Sequence, residues 1–563
     1  MIEPARINTD LTLKTPKVVK AEHHQAGAPH SIEPQESFQS ADMLTPASTG
    51  MAKVKVFPQD PLVGPTEVIE LPKEILGTKL SSSRMKIQDR NPVAIADTDG
   101  NYNYEVGTPQ FDQVNAYAIV ANTLSIYDKF FGAPAKWSFP GPLSVIPHKG
   151  TGKTAYFSAR DRSINFFEWQ SPSAGKKVTT SQSADVIAHE IGHAIWDGLR
   201  PRAGYSNEAG AFHEAFGDSS ALFHALETDS NLLKALEQNG GDLRKPSLIS
   251  RMAEEFGTAF NKEDNDPKND DRPYYRTALN DFKYIDPKNL PDDDYPPTVG
   301  EEVLTREFHS FSRVWTGAMY RMLTALYDGA QADGKSQLEA LKTARDQLGN
   351  TWGKALQELP PSGIKFSVVA ESMLRTAARQ PDKTMFDRMG EVLVDREVLT
   401  AEKVAELRGS KLANISLGDG SPEAVLSSLD AHYGLGTDYQ LDSQPEVLAD
   451  GRTVFQFSRA QRHCIGHQHG TEVEVELRDG LSATFDASGK LVSSFYTPVD
   501  EEARQDATMF ATDLLAKGRV NENTLSLDNS THNPSGQVFL GELYDDIRRP
   551  GVKVLQRIPI YDL

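Results

Sequence analysis

The stretch HEIGH places His189, Glu190 and His193 inside an otherwise apolar run from Ala184 to Pro201. Histidines four apart on a helix project from one face, one turn above the other. Two neutral imidazoles at that spacing can grip one Zn2+, with the carboxylate of Glu190 beside them as general base. The flanks read as a helix able to carry them. Ser183 is a capping residue, Asp185 suits the first turn, and Val186, Ile187, Ile191, Ala194 and Ile195 supply a buried face before Pro201 forbids continuation. Two ordinary core histidines would share this pattern, so the neighbouring segments have to decide.

A catalytic zinc needs a third protein ligand and one open position. The next segment, YSNEAGAFHEAFGDSSALF, reads as a second helix with Glu214 and Asp218 on one face. Glu214 can supply a carboxylate ligand. Asp218 can accept the free N–H of a ligating imidazole, and Asp197, four residues after His193, can do likewise.

HEIGHAIWD followed by YSNEAGAFHEAFGD resembles the thermolysin-like zinc metallopeptidases, the gluzincins, whose third ligand is a Glu on a second helix. The metzincin pattern is rejected, because Trp196 and Leu199 occupy the places of its Gly and third His. Further motifs carry the likeness: HSFSRVWTGAMY (His309, then Ser312 and Tyr320), RTALNDFKYIDP (Arg276 to Pro287), and TAYF at 154–157. It covers roughly 100–395 well, 51–100 loosely, and the remainder not at all.

The resemblance implies a zinc endopeptidase, with His189, His193 and Glu214 as metal ligands. Glu190 would be the base, and Tyr205 and His309 would stabilise the oxyanion. Arg276 would hold a substrate carbonyl, and Ala155 would align the peptide as an added strand. It also implies an α+β, two-lobed thermolysin-like fold, β-rich over 51–200 and helical over 201–400, with the cleft between the lobes.

Three positions depart from the family. His213 replaces an Asn before Glu214, which makes it a rival ligand. Leu304 stands where an aspartate would orient His309, leaving that task to Glu302 or Glu307. Ala225 replaces an acidic residue of the family's double calcium site, although Asp185 is kept. Ca2+ is therefore a secondary expectation, with the acidic run EDNDPKNDD as another place for it. The rival readings are a zinc-binding pseudoenzyme or latent peptidase whose C-terminal portion binds a partner, and an aminopeptidase-type gluzincin.

The positioning elements follow from periodicity. AKVKVFPQDP, TEVIELP, RMKIQD and VAIADTDGNYNYEV alternate as strands do, the last with a turn at Asp99-Gly100. Phe111 to Gly132 reads as a long helix, TAYFSARDRSINFFEWQ returns to strand, and helical period dominates 183–395 apart from a polar stretch at 261–300. Residues 1–50, rich in Pro, Ser and Gln, read as a flexible arm or pro-segment. From 410 to 563 a meander followed by a helix suggests a separate small α+β domain of unknown role. Within it, RHCIGHQHG gathers His463, Cys464, His467 and His469, the residue types of a second metal site, on an expected hairpin loop.

Composition narrows the partners. With 59 Lys+Arg against 79 Asp+Glu, the net charge of -20 repels nucleic acid, so no nucleic-acid partner is expected; a peptide or protein substrate is what the resemblance implies. One cysteine excludes any intramolecular disulfide. No apolar run is long enough to span a membrane. The start lacks a Sec-type signal, which reads as cytoplasmic by default or exported by a leaderless route. Oligomeric state is not legible.

Overall fold

The computed structural model describes residues 50–263, 272–293, 299–409, 415–418, 420–436, 438–468, 470–521, 540–546, 548–549, 551–557 and 560–562, which fall in one compact unit. The expected N-terminal arm and the run 264–271 lie outside the described residues. Helices and sheets are both extensive, an α+β protein.

The alternating segments form the antiparallel pair β1 (Met51–Val56) and β2 (Glu67–Pro72), followed by the helical turn α1 (Lys73–Leu76) and the strand β3 (Met85–Ile87). The strand expected over 93–106 is absent. Asp97 Oδ1 instead accepts the N–H groups of Asp99 and Asn101, and this side-chain turn leaves only an isolated bridge at Tyr102. Helix α2 (Pro109–Phe131) begins at a Thr108 cap with Pro109 in its first turn, and closes on Gly132 at φ 69°. Strands β4 (Leu143–Thr151), β5 (Ala155–Ser158), β6 (Ser163–Ser171) and β7 (Lys176–Thr179) then build a sheet against it.

The helical portion comprises α3 (Ala184–Leu199), α4 (Asn207–Ala225), α5 (Asp229–Asn239) and α6 (Glu254–Glu263). It continues with α7 (Phe308–Ala332), α8 (Gln337–Glu358), α9 (Phe366–Ala378), α10 (Thr384–Asp395) and α11 (Ala401–Gly409). Two short strands, β8 (Arg251–Met252) and β9 (Arg276–Thr277), pair within it. Trp196, Trp315 and Trp352 are fully buried around Phe212 under α3 and α4, with ring centroids 4.9, 5.5 and 5.9 Å from it. Truncating any of these to Ala would cost roughly 3–5 kcal/mol. Arg200, which ends α3, donates to the carbonyls of Leu199, Leu356, Gln357, Leu359 and Pro360, joining α3 to the end of α8.

The remainder holds α12 (Pro422–Tyr433), β10 (Gln440–Leu441), β11 (Glu446–Val447), β12 (Thr453–Gln468), β13 (Thr471–Phe485), β14 (Leu491–Thr497) and α13 (Glu501–Ala516). It ends in β15 (Val520–Asn521), β16 (Gly541–Asp545), β17 (Val552–Arg557) and β18 (Ile560–Asp562). One sheet runs β10-β12-β13-β17-β16-β15. This portion is α+β by itself, but it does not stand apart as the sequence suggested. Its last strand, β18, joins the other sheet, in the order β18-β5-β6-β4-β3, and Tyr156 of β5 lies in its apolar cluster. Among the described residues no helix is long and apolar enough to cross a membrane.

Candidate metal centre

Helices α3 and α4 approach closely because two positions lack a side chain. A Cβ on Gly217 would meet the His189 ring at 2.6 Å, and one on Gly192 would meet Ser220 Oγ at 2.6 Å and the Gly217 Cα at 3.0 Å. Each helix starts on a serine cap: Ser183 accepts from Val186 N–H and Ser206 from Ala209 N–H. The cap on α4 sets the turn from which Glu214 and Asp218 face α3.

The ligand atoms of His189, Glu190 and His193 lie within 4.8 Å of one another, so this buried group can hold a metal ion. Glu214 reaches the same place from α4. Its Oε2 is 3.3 Å from His189 Nε2, and its Oε1 is 3.7 Å from His193 Nε2. Behind the ring, His189 Nδ1 lies 3.1 Å from Asp218 Oδ1, and Thr316 donates to the other oxygen of that carboxylate at 2.9 Å. His193 Nδ1 is 2.8 Å from His213 Nδ1. If His193 Nε2 presents its lone pair to an ion, its Nδ1–H donates to His213 Nδ1.

Burial, joined by the charges of neighbouring histidines and arginines, holds His193 and His213 well below the usual histidine range, so both are neutral. Burial acts to raise Glu214 and Asp218, but His309, His189 and Arg276 outweigh it for Glu214, and Arg276, His189 and Thr316 for Asp218, so both carboxylates stay below their ordinary values. A neutral His193 beside an ionised Glu214 is the protonation pairing that a divalent metal requires of two such ligands.

His309 comes from the first turn of α7, with Nε2 3.5 Å from Glu214 Oε2. Its Nδ1 lies 2.8 Å from Glu307 Oε1, and Glu307 also caps α7 by accepting the N–H groups of His309 and Ser310. Of the two candidates for orienting His309, Glu307 is the one in place. Arg276, on β9, lies 3.6 Å from Glu214, 3.5 Å from Asp218 and 3.4 Å from His189 Nε2.

Other predicted residues are placed differently. Asp197 does not support a zinc-binding imidazole. It accepts the Ser138 hydroxyl at the far end of α3, where burial raises its pKa to about 6 against that hydrogen bond. The Tyr205 hydroxyl is engaged by the C-terminal portion, accepting the Arg557 N–H at 2.6 Å. Ala155 begins β5, whose outer edge pairs with β18 from Tyr156 to Ser158. The His463–Cys464 segment is strand β12 rather than a loop, so these two side chains point to opposite faces. His463 Nε2 lies 2.9 Å from Thr508 Oγ1, Cys464 is exposed, and His469 lies outside the described residues. Among the described residues, only His189, Glu190 and His193 form a compact group of metal-ligating side chains.

Sequence reasoning missed Thr316, although its seven-residue spacing from His309 on α7 would place it two turns along the same face. It also missed the company of Asp185. At the first turn of α3, Asp185 accepts from Gln59 and from Ala253 N–H, while Asp60 accepts the N–H of Glu255. Burial and mutual repulsion raise Asp60 to about 7 and Asp185 to about 8, and push Glu254 well up. Asp60 lies 125 residues upstream of Asp185, and nothing local announces it. No protein-family model matches the chain, and no curated protein does.

Proposed function

We propose that the chain is a zinc-dependent endopeptidase of the thermolysin-like kind, hydrolysing peptide bonds in the cleft between a β-rich and a helical lobe. One observation carries the reading: the delivery of Glu214 from a second helix to the two histidines of HEIGH. The Glu214 oxygens lie 3.3 Å from His189 Nε2 and 3.7 Å from His193 Nε2, near enough for the three side chains to share one ion.

His189, His193 and Glu214 would hold the ion, with Asp218 and His213 fixing the imidazoles. When bound there, zinc supplies Lewis-acid chemistry that polarises a carbonyl and acidifies a water. Glu190 takes the proton of the attacking water and passes it to the leaving amine. His309, held by Glu307, offers Nε2 toward the developing oxyanion, and Arg276 offers its guanidinium to a substrate carbonyl. A buried general base is the feature that a purely structural zinc site would not need.

Asp60, Asp185 and Glu254 near the start of α3 offer the oxygen donors that a hard cation such as Ca2+ prefers, though less closely gathered than the His189–Glu190–His193 group. Asp60 Oδ2 and Glu254 Oε2 are buried there without a hydrogen bond. The experiment for the main reading combines metal analysis with peptide cleavage. Wild type should carry about one zinc per chain, Glu190→Gln should keep it and lose cleavage, and His193→Ala should lose both. Cleavage by Glu190→Gln at the wild-type rate would overturn the reading.

A further inference from the structure

We infer that the C-terminal segment, α13 through β18, is an internal inhibitor of this same site. The inference rests on the peptidase reading above. Its first support is the sheet edge. Strand β18 pairs antiparallel with β5, Ile560 opposite Ser158, Tyr561 opposite Phe157 and Asp562 opposite Tyr156. On a sheet ordered β18-β5-β6, β5 would be the outermost strand without it. A peptide that binds by adding a strand needs those same backbone groups. β18 also runs along β5 toward Ala155 and lies beside α3, the helix of the histidine pair. The segment therefore occupies the track of an extended substrate, backbone for backbone.

The second support is Tyr205. Its hydroxyl accepts the Arg557 N–H at 2.6 Å and donates to the Leu555 carbonyl at 3.4 Å, while Arg557 Nη1 donates to the Gly204 carbonyl at 3.0 Å. The same β17 backbone cannot keep that hydroxyl and leave it to an oxyanion. The third support is how firmly the cover is attached. Tyr156, Phe167, Tyr205 and Phe308 pack with Phe510 and Leu543 in one apolar cluster. Ion pairs ring it: Arg306–Asp513 at 3.0 Å, Lys288–Asp506 at 3.0 Å, Lys517–Asp292 at 2.9 Å, and Arg160–Glu542.

The site residues are buried in the folded chain, His189 at 2% exposed and Glu190, His193 and Glu214 each at 0%, and a catalytic metal site needs one position that water and substrate can reach. A tethered strand competes at an effective concentration in the millimolar range, so release rather than chemistry limits peptide entry.

The test uses the full-length, zinc-loaded chain and a quenched fluorescent peptide. Tyr561→Pro places a residue without a backbone N–H in β18, which disfavours its pairing with β5. Its kcat/KM should exceed that of wild type by about tenfold or more. Adding Glu190→Gln to it should abolish the gain. A synthetic peptide of residues 555–563, added to the Tyr561→Pro enzyme, should inhibit competitively, and this second measurement guards against a variant that gains activity by loosening generally. Equal cleavage by wild type and Tyr561→Pro would overturn the inhibitor and leave the peptidase standing. Zinc binding by both with cleavage by neither would overturn the peptidase reading, and this inference with it.

Discussion

Where α4 meets α3, the carboxylates of Glu214 and Asp218 sit among His189, His309 and Arg276 and are held below their ordinary pKa values in spite of complete burial. About one turn before His189 on α3, Asp185 shares its surroundings with Asp60 and Glu254 and is pushed to about 8. Both places bury acids, but only one surrounds them with cationic and imidazole partners. A buried charge is tolerated where partners compensate it and is driven toward neutrality where they do not. The compensated place keeps its carboxylates charged. The uncompensated place stores proton or cation dependence.

The contrast can be broken most forcefully at Glu190. Glu190→Gln should lower kcat by about 10²–10⁴-fold with zinc content unchanged, read by steady-state cleavage in the Tyr561→Pro background beside metal analysis. Gly217→Ala comes next. The added Cβ meets the His189 ring at 2.6 Å, so zinc affinity should fall on the order of 10–100-fold in chelator competition, as it should for Asp218→Asn. Retention of wild-type affinity by Gly217→Ala would show that the spacing of the two helices does not tune the site.

At the uncompensated place the effect is on stability. The folded pKa values of Asp60 (about 7) and Asp185 (about 8) lie above the ordinary 3.8, so the folded state binds more protons than the unfolded chain across that interval. Stability from these groups is complete below about pH 4 and is lost as the pH rises through 7 to 8. In the calcium chelator EGTA, Asp60→Asn should melt ~2 °C or more above wild type at pH 8, and within about a degree of it at pH 5. Added calcium should stabilise wild type at pH 8 more than the variant. The smallest effect is expected at Asp197, whose carboxylate binds Ser138. Asp197→Asn should keep zinc affinity within about twofold of wild type.

Much of the centre was legible because helical spacing is rigid. Once HEIGH and EAFGD were read as helices, the placement of His189, His193, Glu214 and Asp218 on facing surfaces followed from the four-residue repeat. Glu307 was harder, since it acts from a cap two residues before His309 and not from a helical offset. Asp197 misled for the opposite reason: it shares the helical offset, but Ser138 arrives from elsewhere and takes its carboxylate. The strand expected at 93–106 failed because a local side-chain turn outcompeted alternation. The pairing of β18 with β5 joins residues some 400 positions apart through a three-residue strand, and no local pattern encodes so short and distant a partnership.

Arg200 has a mechanical consequence. By holding carbonyls at and just beyond the end of α8 together with that of Leu199, it denies α3 the frayed end that most helices possess. Amide protons from His193 to Leu199 should then exchange with solvent only when the whole protein unfolds. Any local opening in this region then has to come from the elements packed against α3 rather than from α3 itself.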